Sequence, residues 1–219
     1  MLELTATQQI AIWLLPILFA ITLHEAAHAW AAYRLGDNTA KLLGRLSFNP
    51  IRHIDLVGTI IVPIIILVLS QFNFVFGWAK PVPINESNLR NPRRDTALVT
   101  AAGPLSNLLM ALFWASLLKL AMMLDPQSSN IVLFLFLTAR AGILINLLLA
   151  YLNLIPIPPL DGSRILASFL PPRLAMSYQK IEPFGFFILV ILLITGVLGW
   201  FIFPLLSWSL AVLRVLFNL

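Results

Sequence analysis

Of the 219 residues, 60% are hydrophobic and 11% charged, and the mean hydropathy is +0.93; a soluble domain carries about 25% charged residues, so an ordinary soluble globule is excluded in favour of a multi-span membrane protein. The formal charge of +5 sits beside apolar segments without interleaved aromatics, which excludes a nucleic-acid-binding surface. With no cysteine, disulfides and thiolate metal sites are excluded too, and any metal must take nitrogen and oxygen ligands.

Apolar runs fall at 9–33, 56–72, 96–124, 131–155 and 184–217. The first reads as a retained membrane helix. "AHAWAA" (27–32) offers small residues at cleavage-like spacing, but "MLELTATQQ" has no basic n-region, and the run is long for a signal peptide. It contains "HEAAH" (24–28). Ionisable groups are costly in hydrocarbon, so this cluster is a functional-site hypothesis from the outset.

The loops at 34–55 and 73–95 each carry four basic residues, Arg34, Lys41, Arg45 and Arg52 in one and Lys80, Arg90, Arg93 and Arg94 in the other. Both therefore read as cytoplasmic. Placing both on one face requires that 56–72 is a re-entrant hairpin, or that it crosses and 72–85 returns as extended chain. Pro81 and Pro83 favour extended backbone over "KPVPIN", and irregular chain at membrane depth must be covered by protein or line a wet cavity. The 96–124 run then goes outward to "DPQSSN", the 131–155 run returns to a segment carrying Arg164, Arg173 and Lys180, and the last run leaves from about 184, with Pro204 expected to end or kink it. The prediction is one all-α polytopic membrane domain over 1–219. It is a bundle of about five transmembrane helices (four to six) with re-entrant or extended segments near a membrane-embedded zinc site, the N-terminus outside and the active site towards the cytoplasm.

Histidines at i and i+4 share one helix face, so His24 and His28 can meet one zinc ion, and Glu25 is placed to take a proton from a metal-activated water. A hydrolytic zinc needs a third protein ligand. On the residues alone, Asp161, at the end of the Pro-rich "NLIPIPPLDG" (153–162), and His53 stand level. His53 and Asp55 also suit a simpler role as solvated anchors of a loop at the membrane interface, and Trp78, with Trp30, Trp114, Trp200 and Trp208, suits interfacial belts or bundle packing.

"HEAAH" early in an apolar chain with "NLIPIPPLDG" late in it resembles the site-2 protease family of intramembrane zinc metalloproteases. "AAGPLSN" (101–107), "GRLSFNPIRHIDLVGT" (44–59) and "GWAKPVPIN" (77–85) extend the likeness to the compact bacterial branch without a PDZ domain. The resemblance implies one zinc ion per chain, bound by His24, His28 and Asp161, with Glu25 as catalytic acid/base. Asn107 and Asn153 match supporting asparagines, for which an oxyanion or substrate contact competes with helix-packing glue.

A substrate helix must unwind before attack, and an enzyme strand that pairs with it would replace the lost hydrogen bonds. "KLLGRLSFNP" (41–50) and "KPVPIN" (80–85) are the candidate edges, with Val82 and Ile84 as the pairing residues. The expected partners are the lipid bilayer and membrane-protein substrates, in a bacterial plasma membrane. The rival readings are a metal transporter, whose ligands would be spread through the bilayer, and a non-catalytic scaffold.

Overall fold

The computed structural model describes residues 4–62, 65 and 79–219. Its long helices are α1 (Ala6–Leu35), α2 (Pro92–Met123), α3 (Asn130–Asn153) and α7 (Val197–Phe217), with the shorter α4 (Asp161–Phe169), α5 (Pro172–Gln179) and α6 (Glu182–Ile194) between α3 and α7. No strand occurs among the described residues.

α1, α2, α3 and α7 are each long and apolar enough to span a membrane, and the pair α5 and α6, bent by 63°, makes a fifth candidate. This agrees with the expected number. The spanning or re-entrant character of 56–72 and the position of Trp78 lie largely or wholly outside the described residues.

Local sequence sets the helix ends. Thr5 and Gln8 form a reciprocal capping box at the start of α1. At its other end Gly36 adopts φ 118°, and a side chain there would sit 2.9 Å from the Asn88 carbonyl oxygen. Pro92 opens α2 at a position where its missing N–H costs nothing.

α2 is the hub of the bundle. It packs along α3 and α1, and it also touches α4 and α7. The largest core joins Ala111, Trp114, Ala115 and Leu118 of α2 to Ala139, Ile143 and Leu147 of α3 and to Leu206 and Leu213 of α7. Small residues allow this approach, as they do in membrane interfaces generally. At Gly142, a Cβ would lie 2.3 Å from the Trp114 ring.

Three expectations need correction. The break in the last apolar run falls at Thr195–Gly196, where Gly196 takes φ 76°, and α7 continues through Pro204, so of the two expectations for that proline the ending of the span is overturned. A helix in a bundle tolerates one lost backbone bond, whereas a left-handed residue ends it. "KLLGRLSFNP" is no edge strand, because its first residues belong to the helical turn Thr39–Leu42 and its last opens the 3-10 turn Pro50–His53. His53 is buried at 2% exposure, not solvated, and pairs through Nε2 with the Ser47 carbonyl at 2.9 Å.

The two basic loops do lie at one end of α1. Arg90 N–H donates to the Leu35 carbonyl at 3.1 Å, and the buried Asp37 carboxylate accepts from Asn85 N–H at 2.7 Å and from Asn88 Nδ2 at 3.0 Å.

Candidate metal centre

HEAAH lies in the second half of α1, on the face turned to α2 and α4. His24 and His28 are buried, and their Nε2 atoms stand 3.0 Å apart. Asp161, the first residue of α4, brings Oδ2 to 3.1 Å from His24 Nε2 and 3.4 Å from His28 Nε2. Among the described residues these three form the one group of histidine and acidic side chains able to hold an ion. His53 is not part of it.

The outer ring nitrogens decide what the inner ones can do. His28 Nδ1 lies 2.8 Å from the Val99 carbonyl, which only accepts. His24 Nδ1 lies 2.6 Å from Asn107 Oδ1. The Asn107 amide is oriented in turn, because its Nδ2 donates to the Ala20 carbonyl (3.1 Å) and to Asn146 Oδ1 (3.0 Å), and Asn146 Nδ2 donates to the Gly142 carbonyl (2.9 Å). Both histidines therefore carry their proton on Nδ1 and point an Nε2 lone pair inward. Asp161 Oδ2 is likewise buried without a hydrogen-bond donor.

Three acceptors facing one another without a proton between them suit a cation. Ligands about 2.0–2.1 Å from a tetrahedral zinc stand about 3.3–3.4 Å from each other, close to the three separations observed. Nitrogen and carboxylate donors are also of the type zinc accepts. The donor set fits zinc.

Glycines let the elements approach. A Cβ on Gly103 would lie 2.3 Å from His28 Nε2 and 2.7 Å from the His24 ring, so the Gly103-Pro104 stretch of α2 forms the wall against which both histidines rest. A Cβ on Gly162 would lie 2.2 Å from the Leu154 carbonyl oxygen, so a glycine after Asp161 lets α4 start against the end of α3. The intervening turn, with a cis Pro158–Pro159 bond, is held from outside: Tyr178 Oη donates to the Pro156 carbonyl, and Gly185 of α6 packs on the Pro158 carbonyl.

Glu25 does not face bulk solvent alone. Its Oε2 accepts the backbone N–H of Val82 at 2.8 Å. The segment 80–85 that supplies this donor is non-helical and fixed along its length. Lys80 N–H donates to the His53 carbonyl (3.0 Å), Arg45 Nη2 donates to the Lys80 carbonyl (2.8 Å), and Asn85 N–H is held by Asp37. Val82 packs with Ala29 and Ala40, and Ile84 packs against Ala31, Ala32, Leu89 and Val99.

The remaining candidates are placed differently. Asn107 is fully buried and its amide hydrogens are committed, so it orients His24. Asn153 turns back onto its own helix, donating to the Leu149 carbonyl at 3.0 Å. Asp55 caps the π-helical turn Leu56–Ile61 by accepting from Gly58 N–H. Sequence reasoning passed over Asn146, although a lone asparagine in the apolar "GILINLLLA" was a visible signal, and over the Val99 carbonyl; Gly103 entered only as part of "AAGPLSN", without its role as a wall of the site.

Comparison with known proteins agrees with this geometry. The profile described as "Peptidase family M50" matches residues 120–196, a stretch that includes Asp161. The chain is 38% identical over 196 residues to "Putative zinc metalloprotease YwhC" of Bacillus subtilis, covering 87% of this chain and 84% of that protein. It is 30% identical over 195 residues to "Putative zinc metalloprotease Rip2" of Mycolicibacterium smegmatis, covering 87% and 70%. No solved structure matches it.

Proposed function

The chain belongs to peptidase family M50, and from that premise we propose that it is an intramembrane endopeptidase, cutting peptide bonds in or beside the transmembrane segments of other membrane proteins. The observation that carries this reading is the convergence of His24, His28 and Asp161, their lone pairs turned inward, next to a glutamate held by a backbone N–H.

His24, His28 and Asp161 hold one zinc ion per chain. Zinc, when bound, supplies a Lewis acid that acidifies water and polarises a carbonyl. Glu25 acts as general base towards the attacking water and then returns the proton to the departing amine. The Val82 N–H fixes the carboxylate orientation for both transfers. Asn107 keeps His24 in the tautomer that presents Nε2.

Substrate chain enters locally unwound. In extended backbone, Val82 and Ile84 direct their N–H and C=O groups to the same edge, and Val82 N–H meets Glu25 on it. With the Val82 N–H kept by Glu25, the Val82 carbonyl and the N–H and carbonyl of Ile84 are the groups with which an unwound substrate pairs. Asn153, whose Nδ2 is engaged by the Leu149 carbonyl, has its Oδ1 left for a substrate contact. The N-terminus lies outside a bacterial plasma membrane, with the centre towards the cytoplasmic side. A transporter reading lacks support, since the three ligands sit at one depth.

The test uses proteoliposomes holding the enzyme and a membrane-spanning reporter. Glu25→Gln is expected to abolish cleavage while zinc per chain, by elemental analysis, stays near one; Asp161→Ala is expected to lose most of the zinc. Cleavage by Glu25→Gln at the parent rate overturns the proposal, and zinc flux unchanged by that substitution would favour transport.

A further inference from the structure

We propose that the protein binds the phosphate of an anionic phospholipid in a cavity at the end of the bundle away from the metal centre, with Arg140 and Arg214 as its cations. The cavity has a volume of about 440 Å³ and is walled by Ile12 and Trp13 of α1, Leu118 of α2, Ile143 of α3 and Leu210 and Leu213 of α7. Ile12 and Trp13 precede His24 by eleven or twelve residues, about 17 Å along a helix.

Arg140 is the anomaly that points to a ligand. It lies in the middle of a candidate membrane span, where a charged side chain is costly and marks a site unless it is matched. Its guanidinium lies 5.6 Å from the Phe136 ring, one turn nearer the end of the helix, and so reaches towards the interface. Arg214, in the last turn of α7, complements that helix terminus; Arg140 has no such terminus beside it. Lys119, the third cation of this end, is committed to the Asn218 carbonyl at 2.8 Å.

Among the described residues no carboxylate stands within ion-pair distance of either guanidinium. Two guanidinium groups opening into one apolar cavity complement a molecule with a phosphate head and hydrocarbon chains. Free phosphate would satisfy the arginines but leave the apolar walls unmatched, so the occupant is the lipid.

The full chain is reconstituted in phosphatidylcholine vesicles with and without phosphatidylglycerol, and its Tm is read. The parent is expected to gain about 4 °C or more from phosphatidylglycerol. The double variant Arg140→Gln, Arg214→Gln is expected to lose that gain, and Arg173→Gln, an exposed charge on α5, to keep it. An equal gain in the double variant, or the same gain from inorganic phosphate in phosphatidylcholine, overturns the proposal.

A carboxylate of the chain itself is tested at Glu3, a residue outside the described ones. If it satisfies the arginines, Glu3→Gln lowers Tm in both vesicle types while phosphatidylglycerol adds nothing to the parent, which also overturns the proposal. Mass spectrometry of the parent released from mixed vesicles gives an answer independent of any variant: selective retention of phosphatidylglycerol supports the site, and retention equal to phosphatidylcholine overturns it.

Discussion

The backbone N–H of Val82 donates to Oε2 of Glu25 across 2.8 Å, joining the extended "KPVPIN" segment to the residue that follows the first metal ligand. Arg45, the His53 carbonyl and Asp37 hold that segment in place. A hydrogen bond to a carboxylate contributes about 1.5–3 kcal/mol, or about 10- to 100-fold in rate if it is needed in the transition state.

Val82→Pro deletes this donor. We expect turnover to fall by about 10- to 100-fold with zinc retained. Ile84→Pro leaves Glu25 its partner and removes only a donor from the proposed pairing edge. Single-turnover kinetics on both variants separates the roles: a loss confined to Val82→Pro assigns the segment to orienting Glu25, and losses in both assign it to substrate pairing as well.

Asn107→Ala removes the acceptor of the His24 Nδ1 proton. An outer partner of this kind is worth about 10- to 100-fold in metal affinity. Zinc competition with a chelator is expected to show that weakening, with Asn146→Ala weaker in the same direction. Full affinity with a large drop in kcat would instead restore an oxyanion contact for Asn107.

Gly103→Ala places a methyl carbon 2.3 Å from His28 Nε2 and 2.7 Å from the His24 ring. Both ligands belong to one helix face, so α1 must shift as a unit to relieve the clash. Zinc per chain is expected to fall well below one while the helical circular dichroism signal stays at the parent level. A fully metallated variant would mean that α1 has room to yield.

Asp37 gives the pH dependence a sign. Burial acts to raise its carboxyl pKa, but donors from Thr39, Asn88 and Asn85 outweigh it, and the group is held below the ordinary carboxylate value. Its stabilisation is therefore present above the unfolded pKa of about 3.9 and disappears as pH falls through the lower folded value. Asp37→Asn is expected to lower Tm at neutral pH, with about 1–3 kcal/mol at stake for each donor left buried and unpaired. It should also flatten the acid limb of a Tm-against-pH series, and an unchanged acid limb would remove Asp37 from the account.

The histidine pair was legible in the sequence because few side chains bind zinc and i, i+4 spacing puts two of them on one face; Asp161 stood level with His53 on the residues, and only the likeness of "NLIPIPPLDG" to a family motif singled it out. The number of spans followed from hydropathy. The partners of Nδ1 in His28 and of Glu25 were not legible, because a Val99 carbonyl and a Val82 N–H are groups that almost any residue supplies. Proline misled at position 204, since a bundle forgives one missing backbone bond, while the break lay at an unremarked Gly196. Arg140 was hidden inside a run read for its average hydropathy.

The chain of amides from the Gly142 carbonyl through Asn146 and Asn107 to His24 crosses the α2–α3 interface. Sliding α3 by one residue would turn Asn146 by about 100° and take from the Asn107 amide one of its two acceptors, leaving the Ala20 carbonyl to hold it alone. His24 Nδ1 would then rest on a less firmly held acceptor. The register of two helices is thus written into the orientation of a single amide, the one that faces a ring nitrogen of the metal centre.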